Sequence, residues 1–538
     1  MTPLKGVHYV LRHPSTIWCN PAQSHYGEAD IELQNLADAL RRAEKLFGER
    51  EAAICCGSRL TYGGMAARCR RLAGGLQSLG VEPGDRVATL LVNCHRYLEA
   101  YFAVPGMGAV IVPLNNRYAL PELRYVLHDA GVKVLLADEP HAALASELAD
   151  IVPGIVMAPS DYEKLLDDSP ELALENGGED MLAGIFYTGG TTGAAKGVML
   201  THRNLVTNAL HVTVAFGFSE RDIYLHAAPM FHLADGAATY AVTWVGGAHT
   251  FVPQFAPAQV LRALESDRVT FSTWVPTMLN AVINHPDLDK TDISSLRMIA
   301  HGGSPIAEDL LERAIRALKC SFVQAYGMTE AAPVLTVLAH EEELVGDPRL
   351  RSAGREVMGV EVTVRRVDGS GSICLPGEIG EVVARGPNLM RGYWNKPDET
   401  AAALRDGWYW SGDLAQTDGD GYLYIVDRAK DMIISGGENV YSIEVENAIY
   451  AHPRVLECAV IGVPDDTWGE RVHAVVVPKP NQAVTEEEVR EHCKALIAGY
   501  KCPRSVEFIS ALPKSGAGKI LKLGLREKYW AGRSRQVN

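Results

Sequence analysis

Apolar and polar positions follow two rhythms along this chain. Short apolar runs bounded by Gly, Pro or Asp read as strands, and apolar residues three and four apart read as helices. The runs at 86–92, 110–114 and 132–137 predict buried strands, with helices at 97–104 and 121–129 between them. The pattern returns with strands at 183–187, 223–227, 250–252, 270–274, 298–300 and 322–325, separated by helical segments. Such alternation predicts an α/β architecture with much parallel sheet. Residues 139–180 carry little periodicity and read as a surface excursion.

After Met328 the texture changes. Residues 354–421 are rich in turns, with β segments at 360–364 and 381–384. Beyond Asp427 a compact block follows: strand 432–435, helix 442–450, strands 457–463 and 471–478, helix 485–498 and strand 506–509. That is a small α+β domain of about 110 residues, a size that folds alone. The expected organisation is a large N-terminal domain at 1–426, a joint at 427–431 and a C-terminal domain at 432–538.

Composition narrows the function classes. Of 538 residues, 47% are hydrophobic and 22% charged, as in ordinary globular proteins. The net charge of −15 repels phosphate backbones, which argues against a nucleic-acid partner. A bound nucleotide must therefore be met by local cations and backbone N–H groups. The 10 cysteines are scattered without a Cys-x-x-Cys pair, so neither a zinc site nor a disulfide framework is expected, and the pattern suits a reducing cytoplasm. The apolar stretch at 101–114 contains Pro and Gly and falls short of the ~20 residues of a membrane-spanning helix. The N-terminal residues lack the apolar run of a signal peptide.

The strongest local signal is 186–198, Phe-Tyr-Thr-Gly-Gly-Thr-Thr-Gly-Ala-Ala-Lys-Gly-Val. A predicted strand runs into a loop of glycines and threonines with one lysine. Glycines let a backbone approach a phosphate and aim its N–H groups inward. Threonine hydroxyls add donors, and Lys196 adds charge. This is not the Gly-x-x-x-x-Gly-Lys-Ser/Thr loop of the NTPases: Ala195 precedes Lys196, and the one Gly-Lys pair, Gly518-Lys519, has Pro513 at the first glycine position.

The segment resembles the phosphate loop of the adenylate-forming superfamily, which includes acyl-CoA synthetases, peptide-synthetase adenylation domains and beetle luciferases. Four further segments resemble its motifs in the same order. They are Gln324-Ala-Tyr-Gly-Met-Thr-Glu330, Trp408-Tyr-Trp-Ser-Gly-Asp-Leu414, Tyr424 to Asp431 with Ile434-Ser-Gly-Gly-Glu-Asn439, and Pro513-Lys-Ser-Gly-Ala-Gly-Lys-Ile520. Two positions depart: Gly189 stands where the family usually has Ser, and Ala195 where it has Pro.

The resemblance implies a large layered adenylate-forming domain with a small mobile C-terminal lid. It implies attack of a carboxylate on the α-phosphate of ATP, giving an acyl-AMP and pyrophosphate. That step gathers negative charge and calls for Mg2+, cations and oriented donors. Thr188, Gly189, Gly190, Thr191, Thr192, Gly193 and Lys196 are then the phosphate loop. Glu330 is the implied metal ligand, assisted by Thr188, and Thr329 donates to the α-phosphate. Tyr326 stacks on adenine beside Gly302, Gly303 and Gly327. Asp413 takes the ribose hydroxyls, with Arg428 nearby. Lys519 enters the cleft for adenylation, and His232 flanks the acyl carboxylate.

For the second half-reaction the resemblance implies rotation of the lid about Lys430, with Gly436 and Gly437 leaving room for the pantetheine of coenzyme A. Its implied acyl pocket includes Gly236, Thr239, Tyr240, Trp274, His301 and Met328. No aspartate directly follows Phe231, where amino-acid-adenylating domains carry one. A fatty or aryl acid is therefore expected, and Asp235 is left without a role. Alternatives to free CoA are a carrier-protein phosphopantetheine, oxidation of the adenylate, or a non-catalytic nucleotide-binding relative. The last should lack Lys519 or Glu330, and this chain has both. A homodimer is one assembly the resemblance allows.

One test follows directly. Hydrogen bonds to a charged group are worth ~1.5–3 kcal/mol, so Asp413→Ala should raise the KM for ATP about tenfold to a hundredfold. Unchanged ATP kinetics in the folded variant contradict the assignment.

Overall fold

The computed structural model describes residues 35–55, 57–175, 178–188, 195–304, 306–465, 467–515 and 519–531. Two large sheets make up most of the N-terminal part. The seven-stranded sheet runs Gly392–Tyr393, Lys196–Thr201, Leu182–Thr188, Val110–Pro113, Arg86–Leu90, Val132–Asp138 and Gly154–Ala158. At the centre of the nine-stranded sheet, Ala248–Phe251, Ile223–His226, Phe271–Trp274, Met298–Gly302 and Ser321–Gly327 are all parallel. The expected strand-helix alternation is present, each crossover returning the chain to a parallel neighbour.

Sheet faces sort the side chains by parity, since successive residues of a strand point to opposite sides. In the strand Ser321–Gly327, Val323 joins the largest core cluster with Tyr240, Phe271 and Ala300. Its neighbour Phe322 joins a second cluster with Trp274, Ile299, Leu279 and Leu311. Helices His202–Phe216 and Leu233–Val245 cover the first face, and helices Pro257–Ser266, Pro276–Ile283 and Glu308–Leu318 the second.

Residues 139–180 are a correction to the sequence reading. They are not an excursion: strand Gly154–Ala158 extends the seven-stranded sheet beside Val132–Asp138, and helix Ser160–Asp168 buries Tyr162 and Leu166. An edge strand of five residues and a helix of nine are too short to show a period.

A third sheet is built on Trp408–Thr417, which pairs with Gly380–Arg385 and Leu423–Arg428. The last sheet belongs to the C-terminal block: Ile433–Ser435, Glu438–Val440, Val455–Asp465, Gly469–Pro478 and Ser505–Phe508. Its helix Glu486–Leu496 starts on a reciprocal cap between Thr485 and Glu488. Between the two parts the hydrogen bonding changes hands within two residues. The Ala429 N–H still bonds to the Gly412 carbonyl of the third sheet. The carbonyls of Lys430 and Asp431, and the Asp431 carboxylate, instead accept from Arg526 of the C-terminal helix Lys522–Trp530. Asp427 crosses this joint: its buried carboxylate accepts from the backbone N–H and the hydroxyl of Ser442, first residue of helix Ser442–Tyr450. A carboxylate there also complements the positive end of that helix.

Candidate active site

The strands Met298–Gly302 and Ser321–Gly327 end side by side. A Cβ on Gly302 would lie 2.2 Å from the Ala325 carbonyl oxygen, and one on Gly327 only 1.8 Å from that of Pro333. Both positions therefore demand glycine. Between them the Tyr326 hydroxyl donates to Asp413 Oδ2 at 2.8 Å. Burial, reinforced by the Asp413 charge, pushes that phenol far above its ordinary pKa, so it remains a donor. Arg428 Nε lies 3.2 Å from Asp413 Oδ1, the two residues being partners across antiparallel strands. Three residues expected to handle the nucleoside thus form one knot. A carboxylate has about four lone-pair positions, which leaves acceptor capacity for vicinal hydroxyls.

Thr188 and Lys196 face each other as register partners at the loop end of a hairpin. Its tip, with Gly189, Gly190, Thr191, Thr192 and Gly193, lies outside the described residues. Lys196 Nζ sits 5.2 Å above the ring of Tyr393, whose hydroxyl donates to Glu330 Oε1 at 2.8 Å. Tyr393 belongs to a two-residue strand paired with the lysine strand Lys196–Thr201. It links the phosphate-loop cation to the expected metal ligand, and the sequence reading missed it. The available signal was an aromatic pair after glycine, Gly392-Tyr-Trp394, in a turn-rich stretch. Thr329 is buried next to Glu330. Among the described residues no three His, Cys, Asp or Glu side chains gather as a metal cage. One carboxylate with a hydroxyl nearby suits an ion carried in on a polyphosphate, because magnesium uses few carboxylates and keeps its waters.

Lys519 reaches this cleft from the C-terminal part. Its Cε lies 3.6 Å from where a Cβ on Gly303 would stand. Its loop is pinned locally: the Lys519 N–H donates to Ser515 Oγ at 3.2 Å, and the Ser515 N–H to the Lys519 carbonyl at 2.7 Å. Burial and the neighbouring Arg428 pull its pKa down to about 8, against the opposing pull of Asp413 and Glu330. Burial and Arg428 likewise bring Lys430 down to about 8.

The acyl side begins at His232, the N-cap of helix Leu233–Val245. The Ala234 N–H donates to His232 Nδ1 at 3.2 Å, which places the ring proton on Nε2. Burial, and then Lys519, bring the pKa of His232 down to about 3, so the ring stays neutral. Asn93 braces the preceding segment, accepting from the Met230 N–H and donating to the His226 and Ala228 carbonyls. Gly236 is packed: a Cβ there would meet the Met230 carbonyl oxygen at 2.6 Å and the Tyr101 hydroxyl at 2.7 Å. Thr239 and Tyr240 are buried on the same helix, and Met328 is half-buried at the cleft.

The structure does not bring all six expected acyl-pocket residues together. Trp274 packs in the second core cluster, across the sheet from Tyr240. His301 is its register partner, and its Nε2 meets Glu341 Oε2 at 2.6 Å, both side chains being buried. The reason is parity: Thr273, Ala300 and Gly302 occupy the face toward the helix, and their neighbours Trp274 and His301 the other.

At the expected thiol loop, a Cβ on Gly436 would lie 2.5 Å from the indole of Trp468, whereas one on Gly437 would meet no atom within 4 Å. The Arg504 guanidinium stacks on the same indole at 4.5 Å from its centroid. Trp468 and Arg504 were not singled out from the sequence, since both come next to the glycines only through sheet pairing.

Two family descriptions match the chain: AMP-binding enzyme over residues 40–394, and AMP-binding enzyme C-terminal domain over residues 444–519. The chain belongs to the AMP-binding enzyme family. This AMP-binding enzyme is 45% identical to a feruloyl-CoA synthase of Amycolatopsis sp over 478 residues, 88% of this chain and 94% of that protein. It is 39% identical to the long-chain-fatty-acid–CoA ligase FadD13 of Mycobacterium tuberculosis over 481 residues, again 88% and 94%. ATP-bound MatB from Rhodopseudomonas palustris shares the fold with a TM-score of 0.85 at 31% identity, covering 93% of this chain and 99% of MatB.

The lysine pKa sets a pH test for this AMP-binding enzyme. A group lowered from 10.5 to about 8 is charged below that pH and loses its charge above it. The kcat/KM for ATP reports the free enzyme, so in pyrophosphate release it should fall above pH about 8. Polyphosphate raises the lysine pKa, so kcat should fall only at higher pH. Lys519→Arg, which cannot lose its proton in this range, should flatten the alkaline limb. A limb unchanged in that variant assigns it to another group, Lys430 first.

Proposed function

We propose that this enzyme is an acid–thiol ligase: it activates an apolar fatty or aryl acid as acyl-AMP and passes the acyl group to coenzyme A. The observation that carries the reading is the convergence of Lys519, Asp413, Arg428 and Glu330 in one cleft, with neutral His232 at its acyl end. The knot of Tyr326, Asp413 and Arg428 supports ribose binding. Tyr393, Lys196, Thr188 and Glu330 support phosphate binding. When bound, magnesium supplies charge compensation for the polyphosphate, with Glu330 and Thr188 as the residues that would hold it. Lys519 then opposes the charge that builds at the α-phosphate, and His232 offers an Nε2–H to the carboxylate without trading protons.

The two half-reactions need different neighbours. The switch of hydrogen bonding between Ala429 and Lys430 supports a hinge at Lys430, within 427–431, separating the domain at 1–426 from the lid at 432–538. Rotation there withdraws Lys519 and can bring Gly436, Gly437, Trp468 and Arg504 to the adenylate. An indole flanked by a guanidinium suits a nucleotide-bearing thiol, because it offers a stacking face and a phosphate partner. No helix among the described residues is long and apolar enough to cross a membrane. Cys69, Cys94, Cys320, Cys374, Cys458, Cys493 and Cys502 carry buried thiols, which supports a cytoplasmic setting.

The test is pyrophosphate and thioester release over a panel of fatty and aryl acids, with CoA or a phosphopantetheinylated carrier protein as acceptor. Free CoA should turn over, and a thioester formed only on the carrier protein contradicts the reading. In the same assay Trp468→Ala should leave the first burst of pyrophosphate intact. Losing a stacking face for the CoA base, worth about 1–3 kcal/mol, should raise the KM for CoA roughly five- to a hundredfold. Equal loss of both half-reactions would place this face elsewhere.

A further inference from the structure

Asp235 lies fully buried in the first turn of helix Leu233–Val245, three residues after His232. Its Oδ2 is 2.6 Å from His226 Nδ1, and its Oδ1 accepts from the Tyr224 hydroxyl at 3.1 Å. His226 Nε2 lies 3.0 Å from His249 Nδ1, and His249 Nε2 lies 3.0 Å from Thr243 Oγ1. The His226 ring lies nearly parallel to His249 and to Phe251. Tyr224, His226, Asp235, Thr243 and His249 are all excluded from solvent. The chain begins and ends on one helix: Asp235 in its first turn and Thr243 near its last. Two strands, Ile223–His226 and Ala248–Phe251, supply the middle.

Such a chain is an expensive way to fill a core. A buried carboxylate costs several kcal/mol, and apolar residues of similar volume are often as stable. What a fully partnered polar network adds is a single allowed arrangement, because every displaced donor is left unpaired. The part held in place here is the helix start. The His232 carbonyl accepts from the Asp235 and Gly236 N–H groups at 3.0 and 2.9 Å, and His232 Nδ1 accepts from Ala234. The direction of the His232 ring is therefore inherited from the turn that Asp235 anchors.

We propose that Asp235 is a positioning residue for adenylation, clamping the first turn of its helix through His226, Tyr224, His249 and Thr243 and so fixing the Nε2–H of His232 at the acyl carboxylate. This rests on the role given to His232 above. Misplacing a reacting partner by about 1 Å can cost a hundredfold, so Asp235→Asn should slow acyl-AMP formation about ten- to a hundredfold. It should also raise the KM for the acid and leave the KM for ATP unchanged. The deciding measurement is a double-mutant cycle on pyrophosphate release with His232→Ala, titrating acid and ATP separately. In the His232→Ala background Asp235→Asn should add less than about twofold, because coupled residues are not additive. The same slowing with and without His232, or a joint rise of both KM values, overturns the positioning role. His232→Ala with an unchanged KM for the acid overturns the His232 reading itself. Should Asp235→Asn not fold, His249→Gln breaks the chain in its middle, between His226 and Thr243, and must show the same non-additivity with His232→Ala.

Discussion

The cleft depends on a positive charge held where it is poorly solvated. Lys519 lies beside Arg428 and Lys430, and among the described residues Asp413 and Glu330 pull the other way. Without an anion, burial and the neighbouring cations disfavour the charged lysine. A polyphosphate relieves this. We propose that binding of ATP and docking of the C-terminal part are linked, since an anion beside Lys519 would make each more favourable in the presence of the other. Once pyrophosphate leaves, part of the anion is gone and the lysine is again over-crowded by cations. On the proposed reading, the same charges that favour adenylation then favour release of the C-terminal part.

The rest of the architecture holds fixed what this charge acts on. Gly302 and Gly327 allow two strand ends and the Thr329 turn to pack with no side chain between them. The Asp413–Arg428 pair joins the third sheet to Tyr326 of the nine-stranded sheet. On the acyl side Asn93 grips the segment before His232, and the Asp235 network grips the turn after it. The joint at Ala429–Lys430 lies next in sequence to Arg428, so the proposed rotation there would leave the Tyr326–Asp413–Arg428 knot intact while it carried Lys519 away.

Much of this was legible in the sequence because it is local. Strands of the two large sheets are short apolar runs with clear boundaries, and helix Ser442–Tyr450 coincides with its expected span. The motif residues that meet in the cleft sit in short, chemically distinctive segments, where local pattern and chemistry coincide. The failures are long-range or finer than the pattern. Residues 139–180 hold elements shorter than a readable period. Trp274 and His301, placed in the acyl pocket by the resemblance, lie by strand parity on the sheet face away from Tyr240. Tyr393, Trp468 and Arg504 gain their neighbours from pairing partners far away in sequence. Asp235 read as an unexplained acid because its partners, His226 and His249, lie on two different strands and look like core residues.

The central claim is that one cleft runs two reactions by moving one lysine, and a pair of single-turnover assays on Lys519→Ala tests it directly. Removing an electrostatic contact to a developing charge costs roughly 2.7–4 kcal/mol, so acyl-AMP formation from ATP and acid should fall about a hundred- to a thousandfold. The same folded protein, supplied with acyl-AMP and CoA, should form acyl-CoA at close to the wild-type rate, because Lys519 has left the cleft by then. If both rates fall together, the lysine serves a shared step or the fold, and the two-conformation account is wrong.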